Sequence, residues 1–159
     1  MGLGEAIGDY IVERAAPNER YSVFAAAARK GIPATVHVAL GTDITHQHPG
    51  FPAGRVGELS MRDFRIMSAL VGRLFDNGVV LVFGSAVVLP EVFLKAVSIS
   101  YNLGRKPVGV TAANFDMLPQ YRVKENVLTR PFKDGGKSYA FHGHHEIMLP
   151  LLYTLLREE

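Results

Sequence analysis

Three apolar, strand-like runs in this chain each stop in a cluster of small and polar residues, and this repeated break constrains the fold more than any other feature. The runs are ATVHVALGTDITHQHP from Ala34 to Pro49, VVLVFGSAVVLPE from Val79 to Glu91 and KPVGVTAANFD from Lys106 to Asp116. Stretches with helical spacing separate them. Alternating strands and helices of this length predict a parallel sheet with right-handed crossovers. Parallel sheets bind ligands in the crevice beyond the carboxyl ends of their strands, so the small, polar clusters mark where a site is expected.

The spacing predicts a short helix over Gly4 to Arg14, ended by Ala15-Ala16-Pro17. Asn18 is placed as the N-cap of a second helix, Glu19 to Lys30, with Gly31 as its stop. Pro33 then opens the first strand. Ser60 reads as an N-cap before MRDFRIMSALVGRLF, in which Phe64, Met67, Leu70, Val71 and Leu74 share one helical face. Asp76-Asn77-Gly78 turns the chain into the second strand, and Pro90 suits the first turn of a helix reaching Leu103, with Gly104 as its stop. A third strand is expected from Pro107 to Ala112. Met117 to Arg130 is polar with little periodicity. Asp134-Gly135-Gly136 precedes a short strand, Ser138 to Phe141, and an apolar helix closes the chain from about His145 to Leu156.

With 159 residues the chain is sized for one α/β domain. Seventeen basic against fifteen acidic residues leave no electrostatic footprint for nucleic acid. There is no cysteine, which excludes disulfides, thiolate nucleophiles and zinc–thiolate sites. No apolar stretch approaches the roughly 20 residues of a membrane span. The N-terminal segment lacks a basic region of the secretory type, so a cytoplasmic protein is expected.

Four clusters carry possible chemistry. Asp43, His46 and His48 offer an Asp with an H-x-H pair, which suits a divalent metal if a further ligand converges on it. Loop capping explains the same residues. Gly84-Ser85-Ala86 follows a buried strand, where small residues let a nucleotide approach the backbone or let strand and helix pack closely. Thr111, Ala112 and Asn114, read as a strand end, place side chains suited to a ribose or an amide. His142, His144 and His145, with Glu146, begin the last helix as a metal, acid–base or capping group. Arg122, Lys124, Glu125 and Arg130 could close over an anionic ligand.

In order along the chain these segments resemble the C-terminal half of deoxyhypusine synthase and homospermidine synthase, from about Arg29 to Leu156. The matching pieces are Ala39-Leu40-Gly41-Thr42-Asp43, Gly84-Ser85-Ala86-Val87-Val88, Val110 to Asp116, Arg122 to Val127, and Tyr139 to Leu152. The resemblance implies a three-layer, Rossmann-like NAD-binding fold. It implies NAD contacts near Asp43, Gly84, Ser85, Thr111, Ala112, His144 and His145, with Glu125 on the polyamine side. A small-molecule ligand is therefore expected. The family's reactive lysine falls at Pro131 and its tryptophan near Thr129, and the chain holds no Trp. The Lys-His-His after the glycine turn is replaced by Leu89-Pro90-Glu91. An imine needs a primary amine, so deoxyhypusine formation is not expected. The family's chain is about twice as long, which implies either a homo-oligomer or an N-terminal half that completes the site.

Three functional readings follow. Glu125, His142 and His144 are candidates for the reacting end of an NAD-type site held by Asp43, Gly84 to Ala86, Thr111, Ala112, Asn114 and His145. Alternatively, His46 and His48 with His142 to His145 serve a metal-dependent enzyme. The third reading is an assembly module without catalysis.

Overall fold

The computed structural model describes residues 1–74, 78–106, 108–132 and 135–158. Among these, the chain is a mixed α/β protein with six α-helices and a three-stranded parallel sheet. It forms two compact units, Met1–Ala69 and Leu70–Glu159. No helix among the described residues is long and apolar enough to cross a membrane.

The first unit holds α1 (Leu3–Glu13), α2 (Val23–Lys30) and most of α3 (Ala53–Val71). Gly4 and Gly8 lie one turn apart on α1 and permit close packing. A Cβ on Gly8 would stand 2.7 Å from the Phe24 carbonyl oxygen, and one on Gly4 would stand 2.2 Å from that of Ala34. Asn18 does not start α2. It precedes a 3-10 turn, Glu19–Tyr21, and Ser22 caps α2 instead, its hydroxyl accepting from the Ala25 N–H at 3.2 Å. Gly31 ends the helix as expected, at φ +62°. In a glycine this left-handed conformation carries no Cβ penalty.

The strand expected from Pro33 is not formed. Residues 32–39 run without sheet pairing, because side chains of α3 take up the backbone groups. The Val36 N–H donates to Asp63 Oδ2 at 2.8 Å and the Val38 N–H to the Ser60 hydroxyl at 3.0 Å. Ser60 Oγ in turn donates to the Val36 carbonyl at 3.2 Å. Ser60 is thus interior to α3, which begins eight residues earlier than the capping argument places it. A hydroxyl serves equally as a cap or as a partner for a neighbouring backbone, and the second role wins here.

The second unit contains β1 (Val79–Phe83), α4 (Val88–Asn102), β2 (Thr111–Asp116), α5 (Tyr121–Val123) running into a π-helix (Lys124–Thr129), β3 (Lys137–His142) and α6 (His145–Arg157). The strand order is β1-β2-β3, all parallel. Both crossovers move one strand in the same direction, so the right-handed rule puts α4 and the π-helix on the same face. Buried Phe93, Ala96 and Val97 of α4, Ala112 of β2, and Val123 and Val127 form the core there. The Phe93 and Phe132 rings lie 6.1 Å apart. Each fully buried side chain of this size contributes about 1.5–3 kcal/mol.

β2 starts four residues later than the pattern placed it. Thr111, Ala112 and Asn114 therefore lie at the start and middle of the central strand and not at its carboxyl end. Small residues in a central strand allow close helix packing, and composition alone does not separate that from a loop. The expected turn residues Asp76 and Asn77, the strand start at Pro107 and the turn residue Asp134 lie outside the described residues.

The other sheet face stays open. In register across the strands it carries Leu81 beside Ala113 and Tyr139, and Phe83 beside Phe115 and Phe141. The three phenylalanine rings stack at 4.8 and 4.9 Å. Phe83, Tyr139 and Phe141 are 37%, 48% and 45% exposed.

Candidate functional site

The covered face of the sheet supplies the floor of a cleft. Ala112 pairs with Ser138, Asn114 with Ala140 and Asp116 with His142, all on that face. Asn114, Ser138, Ala140 and His142 line a cleft of ≈ 440 Å³ walled by Pro119, Gln120, Tyr121, Lys124, Leu128 and Thr129. That volume lies in the range of small-molecule sites, roughly 300–1,000 Å³.

Asn114 is the anomaly of this cleft. It is 3% exposed, and its Oδ1 is enclosed without a hydrogen-bond partner. A buried amide oxygen left unpaired costs about 1–3 kcal/mol. The nearby buried Asn126 is satisfied: its Nδ2 donates to Glu91 Oε1 at 2.8 Å, and its Oδ1 accepts from Arg130 at 3.3 Å.

The wall explains why the site was hard to read. Lys124 to Thr129 wind as a π-helix, with the Arg130 N–H donating to the Glu125 carbonyl at 2.9 Å. That five-residue step defeats a search for 3.6-residue periodicity. It places Lys124, Leu128 and Thr129 on the cleft. Glu125 is turned to other work, its carboxylate 3.8 Å from Arg130 Nε. Glu91 of α4 braces the same region, bonded to Lys95 at 2.5 Å and 3.4 Å from Arg122 Nε. The Lys95 hydrogen bond, with those of Asn126 and the Arg122 charge, holds its carboxyl below the usual carboxylate range.

Gly84 and His145 meet at the carboxyl end of the sheet. The Phe115 carbonyl accepts from the Gly84 N–H at 3.2 Å and faces His145 Nε2 at 3.0 Å. A carbonyl only accepts, so Nε2 carries the proton. The imidazole occupies the space that Gly84 leaves open. Ser85 and Ala86 form the bend leading to α4. His144 is the N-cap position of α6 and makes no side-chain cap bond. Thr111 opens β2 on the open face, and Ala112 is fully buried beneath the helices.

Asp43 and His46 belong to the first unit and satisfy each other's loop. Asp43 Oδ1 accepts from the Thr45 N–H and hydroxyl, both at 2.8 Å. The Thr45 backbone bond is the main reason its carboxyl is held below the ordinary range. His46 Nδ1 accepts from the N–H groups of Gly41 at 2.9 Å and Asp43 at 3.1 Å, and His48 Nδ1 accepts from Gly50 at 3.0 Å. These nitrogens close a capped loop. Among the described residues no three His, Asp or Glu side chains are grouped to hold a metal ion.

Of the expected site residues, the cleft collects Asn114 and His142. Gly84 and His145 form a separate contact. The sequence pattern does not mark Tyr121, Gln120, Thr129 or Ser138 as ligand residues, and it offers Lys124 only as one charge among several. Comparison with protein-family models, curated proteins and solved structures found no match.

Proposed function

We propose that the unit of residues 70–159 binds a nucleotide-type small molecule of the NAD class in the Asn114 cleft, within a Rossmann-like protein related to deoxyhypusine synthase but not making deoxyhypusine. The Asn114 side-chain oxygen, enclosed beside the cleft without a partner, carries this reading, because a polar ligand that opens onto it would supply the bond that the protein withholds. Lys124 supplies a cation for a phosphate, and Tyr121 an aromatic ring for a base. Ser138, Thr129 and Gln120 supply hydrogen bonds of the kind a ribose uses, and His142 a titratable group at one wall. A π-helical wall is consistent with a ligand site, since such turns concentrate there.

Glu125, tied to Arg130, and His144, at the start of α6, have no role in the site so drawn. Gly84 is covered by His145, so a diphosphate at that turn is not part of the proposal. Pro131, at the position of the family's reactive lysine, is buried and offers no amine. Calorimetric titration with NAD, NADH, their 2′-phosphorylated forms and AMP tests the reading. Saturable binding that weakens at least tenfold in Lys124→Ala supports it. No heat from any of them contradicts it.

A further inference from the structure

The π-helical wall of the cleft is held from behind by a chain of side chains that starts on α4. Glu91, in the first turn of α4, accepts from Asn126 Nδ2 at 2.8 Å, and the same carboxylate oxygen lies 3.4 Å from Arg122 Nε. Lys95 takes the other oxygen at 2.5 Å and so leaves the first to the wall. A carboxylate only accepts, so the Asn126 amide turns its nitrogen to Glu91 and its oxygen away. That oxygen accepts from Arg130 Nη1 at 3.3 Å. Arg130 Nε in turn lies 3.8 Å from the Glu125 carboxylate, and the Arg130 N–H donates to the Glu125 carbonyl at 2.9 Å. Side chains and backbone thus span the same five-residue step. In an α-helix residues five apart point roughly 140° from one another, so the Glu125–Arg130 pair belongs to the π register. Val123 and Val127 are fully buried and four residues apart, a spacing that an α-helix serves equally well, so they do not select it. Asn126 is 4% exposed, which makes its bond to Glu91 the buried link of the chain.

The ligand-facing residues lie on the other side of this segment. Lys124 and Leu128 line the cleft, each two residues from Asn126, with Tyr121 and Thr129 beside them. Two residues are roughly half a turn of helix. π-Helices are rare and occur mostly as single turns, so the register depends on what surrounds it. Relaxing the wall into an α-helix would turn Leu128 and Thr129 by roughly 100°, the step of one residue, against Tyr121 and Lys124.

We infer that Glu91 is a positioning residue of the cleft. Through Asn126 and Arg130 it holds the π register that keeps Tyr121 and Lys124 in line with Leu128 and Thr129. Glu91 itself does not line the cleft and acts only through the wall. Its effect on binding rests on the nucleotide reading given above, and its effect on the wall does not.

The test uses the full chain, with AMP as the probe. Glu91→Ala is expected to weaken AMP at least fivefold. Glu91→Gln keeps an oxygen for Asn126 and is expected to stay within twofold of wild type. Without ligand, hydrogen exchange at the Arg130 amide, which closes the π step, is expected to quicken at least tenfold in Glu91→Ala and to change little in Glu91→Gln. Exchange at Ala113 of the buried central strand reports any global loss. If Glu91→Ala fails to fold, Glu91→Asp, which draws the carboxylate back by one methylene, takes its place with the same expectations. Unchanged exchange at Arg130, equal quickening at Arg130 and Ala113, unchanged AMP affinity in Glu91→Ala, or a Glu91→Gln variant as impaired as Glu91→Ala would each overturn the inference. A wild type that binds no nucleotide contradicts the proposed function instead, and the exchange pattern then decides the role of Glu91 by itself.

Discussion

The imidazole of His145 lies over the α-carbon of Gly84, where a Cβ would stand 3.1 Å from Cε1, and its Nε2 is 3.0 Å from the Phe115 carbonyl. Gly84 also sits at φ +61°. The glycine therefore answers two local demands, a left-handed turn and a close ring, and the start of α6 is anchored to the ends of β1 and β2.

Gly84→Ala is expected to destabilise the protein by about 1–2 kcal/mol, from the left-handed backbone and the crowded ring together. Adding His145→Ala should restore only the crowding part. Urea denaturation of the single and double variants separates the two contributions. A Gly84→Ala variant as stable as wild type would remove the anchoring role.

Asp63 is 0% exposed, and its Oδ2 accepts from the Gly4 N–H at 2.9 Å and the Val36 N–H at 2.8 Å. Asp63→Ala leaves two backbone donors without partners. It is expected to cost about 2–4 kcal/mol. Thermal unfolding checks the loss, and hydrogen exchange at Gly4 and Val36 should rise in step. Unchanged exchange at both amides would contradict the clasp.

Parts of both units are legible because their signals are local. Gly31, Gly104 and the apolar run at Val79 each act within one turn or one strand. The first strand was misread because Val36 and Val38 carry strand-like composition, while their backbone partners, Asp63 and Ser60, lie more than twenty residues away. The cleft was half-legible. Asn114 and His142 stood out as polar residues beside apolar runs. Lys124 and Thr129 did not, because the π-helix gives them a five-residue spacing that neither a helical nor a strand period selects.

His37 gives the first unit a dependence on pH. Burial pushes its imidazolium pKa below the ordinary 6.5, against the opposing pull of the Asp63 charge. The folded state therefore resists protonation while the unfolded chain accepts it. Its contribution is fully present above pH 6.5 and declines as pH falls from there toward the lowered folded value. His37→Gln is expected to flatten the stability profile below pH 6.5, read by urea midpoints at several pH values. An unchanged slope would show that other groups set it.

Lys124 and Tyr121 are expected to separate the phosphate from the base. Lys124→Ala should weaken AMP more than adenosine. Tyr121→Ala should weaken both by similar factors, on the order of the 1–3 kcal/mol that aromatic stacking contributes. Competition titrations with the two ligands check the pattern, and equal losses for AMP and adenosine in Lys124→Ala would contradict the phosphate role.

Nucleotide binding at Asn114 is read most directly by following its side-chain amide by nuclear magnetic resonance during nucleotide titration, assigned by its disappearance in Asn114→Leu. The signal is expected to shift and saturate with the ligand. Asn114→Leu is expected to bind at least tenfold more weakly while being no less stable, because the unpaired buried oxygen is gone. A nucleotide that binds while the Asn114 amide stays unmoved, or an Asn114→Leu variant that binds as tightly as wild type, would contradict it.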